Sequence, residues 1–397
     1  MKKQSLEFLH ISTLLAFILI PLGGLTTDIY IPSLPAMAGK LNVDIQAVQL
    51  TLLLFMVSSG ASQLFIGSIL DSFGRYRINI GALIVFSAAS FIIASVPNIY
   101  SIYAMRIIQG ITVSLIIVGK RAFFVDMFSG EKLKNYTSLF SIVFATAPIV
   151  APFLGGYLQT HWGWEANFYL LGSLAIIVLF FELKYTGESL QKTKAFNWKN
   201  IKDVYKTMLG TPDFTLGLVI VGLSYSQLVI YGMVSPFIIE KKYGFSALVT
   251  GYSSLSSGVA LMIGGIISKI MLKKTLISKL FPAIILSSVI VVLMMFFTAG
   301  HENIWMLLGF TLPIHILSGF VFNNVYAYCL QRFTQSAGTA SGLTGGGIYI
   351  ISSAMGYGLI HLFDIRTTHF FSFINAIIVF LLIIAIYVFS KISKRSK

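Results

Sequence analysis

The chain has 397 residues, of which 56% are hydrophobic and 11% charged, with a formal net charge of +14 and a mean hydropathy of +0.85. Soluble domains carry about 25% charged residues, so a water-soluble fold is excluded, and the weak alternating pattern of a membrane β-barrel is missing. One cysteine, Cys329, and six scattered histidines provide no disulfide and no zinc or iron–sulfur spacing, so neither a cofactor nor a metal is expected.

Twelve apolar stretches long enough to cross a bilayer follow one another, at about 8–35, 46–70, 78–96, 100–122, 136–158, 166–184, 212–236, 248–268, 280–298, 304–328, 338–362 and 370–390. A spanning segment must satisfy its own backbone polar groups, so the expected fold is an all-α membrane protein. The first stretch is longer than a signal-peptide core and lacks a clear small-residue cleavage site, so it reads as a retained helix. The longest polar break, 185–211, divides the spans six and six into bundles at 1–184 and 212–397. Within the break Trp198, Ile201, Val204, Tyr205 and Met208 recur at helical spacing, which predicts an amphipathic helix on the cytoplasmic face. If the spans alternate from a cytoplasmic N-terminus, twenty-three of the 28 lysines and arginines fall inside. Lys40, Lys241, Lys242 and Arg366 fall outside, and Arg106 falls within a helix. This is the positive-inside rule, with both termini cytoplasmic. The basic surface then faces anionic lipid headgroups and not nucleic acid.

Two ionised residues interrupt the oily spans. Asp28 sits in LGGLTTDIYIPSLP in the first, and Arg106 lies about five residues inside the fourth, roughly 8 Å deep at 1.5 Å per residue. Ionisable residues within spans mark ion pathways and proton relays, so this pair is the candidate proton site. Two simpler readings stand beside it. Asp28 is a fixed partner of Arg106 that orders the helices, or the helix ends near Pro32 and Asp28 is wet. His315 in the tenth span titrates near neutral pH when unperturbed, but a satisfied packing histidine is the simpler reading.

Between spans two and three, GSILDSFGRYRINI places Gly67, Asp71, Gly74, Arg75 and Arg77 in the pattern G-x-x-x-D-x-x-G-R-x-R. Gly67 permits close helix approach, Gly74 a turn at positive φ, and Asp71 can face a helix N-terminus. Arg75 can grip an acid bidentately, with Asp126 at the end of span four as the expected partner. Span five holds Ala147, Ala151, Pro152, Gly155 and Gly156, small residues that allow close packing around a proline. Tyr30, Gln109, Tyr225, Gln227, Tyr231, Asn323, Asn324 and Tyr349 are the polar and aromatic candidates to line an otherwise apolar substrate pocket.

The loop at 67–77 resembles the signature loop of the major facilitator superfamily. Span five is similar to the motif of its antiporters, with alanine at two positions that are usually glycine. The strings TDIYIPSLP, RIIQG, RAFFVDMF and HWGWEANFYLLG look like the Bcr/CflA branch of drug:proton antiporters, over most of 20–185. Lys120 beside Arg121, and Val125 where an arginine is common, depart from that pattern. The resemblance implies twelve transmembrane helices in two six-helix bundles, a loop that latches them, and proton-coupled export of small, mostly lipophilic molecules by alternating access. It also implies that Asp28 carries the proton with Arg106 nearby. The expected setting is the bacterial inner membrane and the expected state a monomer, with protons, a small-molecule substrate and lipid as partners. A dedicated exporter of an endogenous metabolite, such as a siderophore, is the alternative. The antiporter-type span five argues against an importer. A polytopic membrane enzyme would need clustered acids or histidines, or a G-x-S-x-G motif, which the chain lacks.

Overall fold

The computed structural model describes residues 3–193, 198–271, 273–333, 337–363 and 366–395. Lys2, Lys194 and Lys397, counted among the cytoplasmic lysines, lie outside the described residues. The chain divides into two compact units, Met1–Lys199 and Asn200–Lys397. Among the described residues the only β pairing is an isolated bridge between Lys3 and Glu188.

The first unit opens with a broken span. α1 (Leu9–Leu19) and α2 (Leu22–Asp28) are followed by a 3₁₀ turn at Ile31–Ser33 and by α3 (Leu34–Leu41). Pro21, Pro32 and Pro35 fall at these junctions. Proline has no N–H to donate, so it is tolerated at the start of a helical piece and not in its interior. The composite span runs Leu9–Leu41, past the expected end at 35, and closes on Asn42 at φ 52°. The unit continues with α4 (Ile45–Phe73), α5 (Arg75–Ser95), α6 (Ile99–Met127), α7 (Gly130–Trp162) and α8 (Glu165–Tyr185). In it α6 packs on α4 and α5, α8 packs on α5, and α7 packs on α2 and the 3₁₀ turn.

The predicted amphipathic helix is α9 (Trp198–Leu209), with Lys202, Asp203 and Lys206 exposed and Met208 buried. The second unit then holds α10 (Pro212–Pro236), a π-helical turn at Phe237–Lys242, α11 (Ala247–Ile270), α12 (Leu276–Thr298), α13 (Ile304–Arg332), α14 (Ala337–Leu362) and α15 (Thr368–Arg395). Here α10 packs against α13, α14 and α15, and α13 against α11 and α12.

Eleven described spans are long and apolar enough to cross a membrane. α7, with 33 residues and Pro148 and Pro152 inside it, is the twelfth long helix. Most helices outrun their apolar stretches by a turn or less, because polar end residues continue the backbone hydrogen bonding into the interface. The apolar surface faces outward. On α12, Ile285, Leu286, Val289, Val292, Leu293 and Phe296 are exposed, while Ser287 is buried. Such an exterior suits lipid, since contiguous exposed apolar surface on this scale is foreign to soluble monomers.

Candidate proton site and latch loop

Arg106 on α6 is fully buried. Its Nη1 donates to Gln109 Oε1 at 2.9 Å and to the Thr26 carbonyl at 3.3 Å. Nη2 donates to the Tyr30 hydroxyl at 3.3 Å, and Nε to the Thr51 carbonyl at 3.4 Å. Thr26 lies in the last turn of α2, where carbonyls lack helical donors, so the break in the first span supplies an acceptor that a continuous helix would have used itself. The guanidinium also lies 4.5 Å from the Tyr30 ring centroid and 4.4 Å from that of Phe55, a cation–π sandwich in a desolvated setting. Gln109 is held in turn by its own bond to Ser90 Oγ at 2.8 Å.

Asp28 is the last residue of α2 and is 9% exposed. Its Oδ2 has no hydrogen-bond partner, and among the described residues no ion pair joins it to Arg106. The reading of Asp28 as a fixed ion-pair partner of Arg106 is therefore not met: Arg106 is satisfied by neutral acceptors, and Asp28 is left without a counter-ion. Tyr30, bonded to Thr51 Oγ1 at 3.0 Å, lies within electrostatic reach of both charges. The helix does not end so as to leave Asp28 wet, since Ile29, Tyr30 and Ile31 beyond it are all buried.

The small residues of α7 bear directly on this break. A Cβ at Gly155 would come 1.5 Å from the Ile29 carbonyl oxygen, and one at Gly24 would come 2.8 Å from the Ala147 Cβ. Ala147, Ala151, Pro152 and Gly156 are buried around the same contact. The stretch resembling an antiporter motif is therefore packed on the residue that follows Asp28.

In the 67–77 loop, Gly74 adopts φ 88°, a conformation that L side chains avoid. Arg75 bridges two acids, Asp71 Oδ1 at 3.0 Å and the expected Asp126 Oδ2 at 2.5 Å. Asp71 is thus engaged by Arg75. The N-terminus of α5 is met by Glu188, whose two carboxylate oxygens accept from the backbone N–H groups of Arg75 and Tyr76 at 3.1 Å each, at the first turn of α5. The N–H of Gln4 donates to the Glu188 carbonyl at 3.0 Å, and Ser189 Oγ donates to Asp126 Oδ2 at 2.8 Å. A Cβ at Gly67 would meet nothing within 4 Å among the described residues, so the close approach expected there is not seen. Arg77 is exposed.

Of the pocket candidates, Tyr30, Gln109, Gln227 and Tyr231 are at most 1% exposed and are used inside their own bundles. Gln227 accepts from Ser318 and donates to Asn375 Oδ1 at 3.4 Å. Asn323 and Asn324 turn their amides back onto the carbonyls of Gly319 and Phe320, at 2.8 Å each, the local bonding that short amides favour. Tyr225 and Tyr349 are half-buried and group with Phe322 and Tyr326, with Tyr225 centroids 5.8 Å from Phe322 and 6.4 Å from Tyr349.

Sequence reasoning missed three things. Glu188 was counted only as linker. Phe322 and Tyr326 were not among the aromatic candidates. Lys120 was noted only as an extra charge, yet its Nζ donates to Glu182 Oε2 at 2.6 Å, with both groups buried and Thr186 Oγ1 also bonded to that oxygen at 2.8 Å. Opposite charges near the same ends of spans four and six were the available signal.

Two units of packed membrane helices, a broken first span with a buried acid beside it, and an Arg–Asp-tied loop between spans two and three define a multi-span membrane transport protein. The chain belongs to the Major Facilitator Superfamily, whose profile matches residues 16–357. It is 28% identical over 348 residues to the "Uncharacterized MFS-type transporter YdgK" of Bacillus subtilis (strain 168), covering 85% of each chain. It is 27% identical over 374 residues to the "Bicyclomycin resistance protein homolog" of Haemophilus influenzae, covering 90% of each. Its fold matches the crystal structure of a bacterial homolog to the human lysosomal transporter Spinster at a TM-score of 0.71, with 13% identity and 98% of each chain covered.

Proposed function

We propose that the chain is a proton-coupled exporter of small, mostly lipophilic molecules of the Bcr/CflA type, working by alternating access, with Asp28 as the group that takes and releases the proton. The carrying observation is the buried, partnerless Asp28 oxygen at the break in the first span. Burial disfavours the charged form of a carboxyl and a nearby cation favours it. A carboxylate without an ion-pair partner can gain a proton without leaving a cation stranded. Arg106, locked by neutral acceptors, sets the field without being consumed by the pair. Protonation from one compartment turns Asp28 neutral. Release to the other restores the anion, which a cationic or dipolar substrate stabilises in the alternate state.

The substrate reading is supported by the relative named for bicyclomycin resistance and by the half-buried aromatic group of Tyr225, Phe322, Tyr326 and Tyr349. The setting is the bacterial inner membrane, with both termini cytoplasmic, and the working unit is a monomer. The 71–75–126 ion pairs serve as the conformational latch.

The test uses the purified full chain in liposomes under an imposed pH gradient, with chloramphenicol as the probe and an internal pH dye as the readout. The wild type should couple probe movement to proton flux. Asp28→Asn, which copies the protonated carboxyl, should abolish the coupled flux while the protein stays folded and monodisperse. Unchanged exchange in that variant would remove Asp28 from the proton path.

A further inference from the structure

The sixth span does not run out into loose chain. Where α8 closes, the successive residues 185–189 are each tied to a different part of the first unit. The Tyr185 carbonyl accepts from Ser12 Oγ at 3.3 Å, and its ring meets Phe8 edge-on with centroids 5.3 Å apart. Thr186 Oγ1 donates to Glu182 Oε2 at 2.8 Å. The Gly187 N–H donates to Gln4 Oε1 at 3.0 Å. Glu188 accepts from the first two amides of α5, and Ser189 donates to Asp126. Thr186 and Ser189 are 3% and 6% exposed. Polar connecting segments ordinarily run over the surface and move, so burial here marks a docked one.

The other half of the contact comes from the chain ahead of α1. Lys3 pairs with Glu188 in a parallel bridge, and the Gln4 N–H donates to the Glu188 carbonyl at 3.0 Å. The two backbones lie against each other. A Cβ at Gly187 would come 2.5 Å from the Lys3 carbonyl oxygen and 2.7 Å from the Gln4 nitrogen, an approach that glycine alone allows. Glu188 is therefore gripped through its main chain by Lys3 and Gln4, while its carboxylate holds the amides of Arg75 and Tyr76. Arg75 in turn reaches Asp71 and Asp126. Contacts thus run without a gap from Lys3 and Gln4, through Gly187 and Glu188, to the ion pairs of the 67–77 loop.

We infer that Lys3 and Gln4 form a strap that holds Glu188 against α5, so that docking of this arm sets the position of Arg75 and thereby the hold of the latch. This effect rests on the reading of the 71–75–126 ion pairs as the latch. The strap is built from backbone and neutral amide bonds at an open edge, with Lys3 exposed and Gln4 half-buried. Such bonds are individually modest and open locally without unfolding the bundle. The unpaired amides of a helix N-terminus favour a carboxylate, so Glu188 stays on α5 while the arm is docked. With the arm lifted, the 187–189 backbone loses its support and the cap loosens with it.

Amide hydrogen exchange in the purified full chain tests the strap. Gln4→Pro removes the N–H that bonds the Glu188 carbonyl and the side chain that bonds Gly187. Gly187→Ala pushes the arm away from the other side. Neither alters Glu188, Arg75 or Tyr76. In both, exchange at Arg75 and Tyr76 should rise about fivefold or more. Gly81→Ala, on α5 where a Cβ meets nothing within 4 Å among the described residues, should leave those two rates close to wild type. Wild-type rates at Arg75 and Tyr76 in Gln4→Pro and Gly187→Ala would overturn the strap. Its hold on the latch is read from distances between spin labels at Lys40→Cys and Lys241→Cys, both exposed positions, in a Cys329→Ser background. Arg75→Ala, which removes the latch directly, should shift the distance distribution, and Gln4→Pro should shift it in the same direction. A shift with Arg75→Ala and none with Gln4→Pro would sever the strap from the latch. No shift with Arg75→Ala would refute the latch reading instead, and the strap then stands or falls on the exchange rates.

Discussion

Near the ends of α4, α5, α6 and α8, Asp126, Glu182 and Glu188 each meet a cation or a pair of backbone donors, whereas Asp28, inside the broken first span, meets neither. The same unit thus engages these three acids near the ends of the helices and isolates one at depth. A paired carboxylate is held in one protonation state, because protonating it leaves its cation without a counter-charge. An isolated one has nothing to abandon. On this contrast the first group gives stability and geometry, and the second is free to do proton chemistry.

The contrast can be broken most severely at Glu182. Glu182→Ala strands a buried Lys120 ammonium and should destabilise the protein by about 3–5 kcal/mol, read as a lowered melting temperature in detergent. Replacing both residues by methionine should recover most of that loss, since a buried pair differs little from an apolar pair of similar size. A double variant as unstable as the single one would mean that the pair itself holds the fold.

At Arg106 the effect should fall on transport. Arg106→Lys keeps the charge but loses the spread of donors to Gln109, Thr26, Tyr30 and Thr51. A lost charged hydrogen bond is worth about 1.5–3 kcal/mol, so proton-coupled flux should fall roughly 10- to 100-fold. Full activity in the lysine variant would mean that charge alone suffices.

Glu188→Ala should cost about 1–2 kcal/mol by uncapping α5. Faster amide hydrogen exchange at Arg75 and Tyr76 is the specific readout, because a general loosening would not single out those two amides. The smallest effect is expected at Lys40. Its pair with Glu165 is solvent-facing, with the lysine side chain 60% exposed, and such pairs are worth about 0.2–1 kcal/mol. Lys40→Ala should leave both melting and transport close to wild type, and a large loss would show that exposed pairs here behave like the buried ones.

The spans were legible because each must carry its own hydrogen bonds in lipid, a local demand written in hydropathy. The Arg75–Asp126 pair was legible from the motif and from the shared end of spans three and four. The cap of α5 was not legible, since it comes from Glu188, a residue in the linker. Asp28 and Arg106 were read as a pair because opposite charges at similar depth attract. That the two form no ion pair was not legible, because it depends on the break after α2, which leaves the Thr26 carbonyl and the Tyr30 hydroxyl to the guanidinium. The pocket residues were the least legible, because an amide or phenol on a spanning helix is equally at home in a bundle's interior network, as Gln227 and Tyr231 are.

Composition and order along the chain determined that this is a twelve-span helical membrane protein, divided near residue 200 and carrying an acid in its first span. Those properties follow from backbone and side-chain solvation, which each segment faces on its own. Beyond the Arg75–Asp126 pair, tertiary structure decided which charges meet. Lys120 and Glu182 are 62 residues apart, and Arg75 and Glu188 are 113 apart. Whether a carboxylate is paired or left free for a proton depends on which distant helix comes to lie beside it.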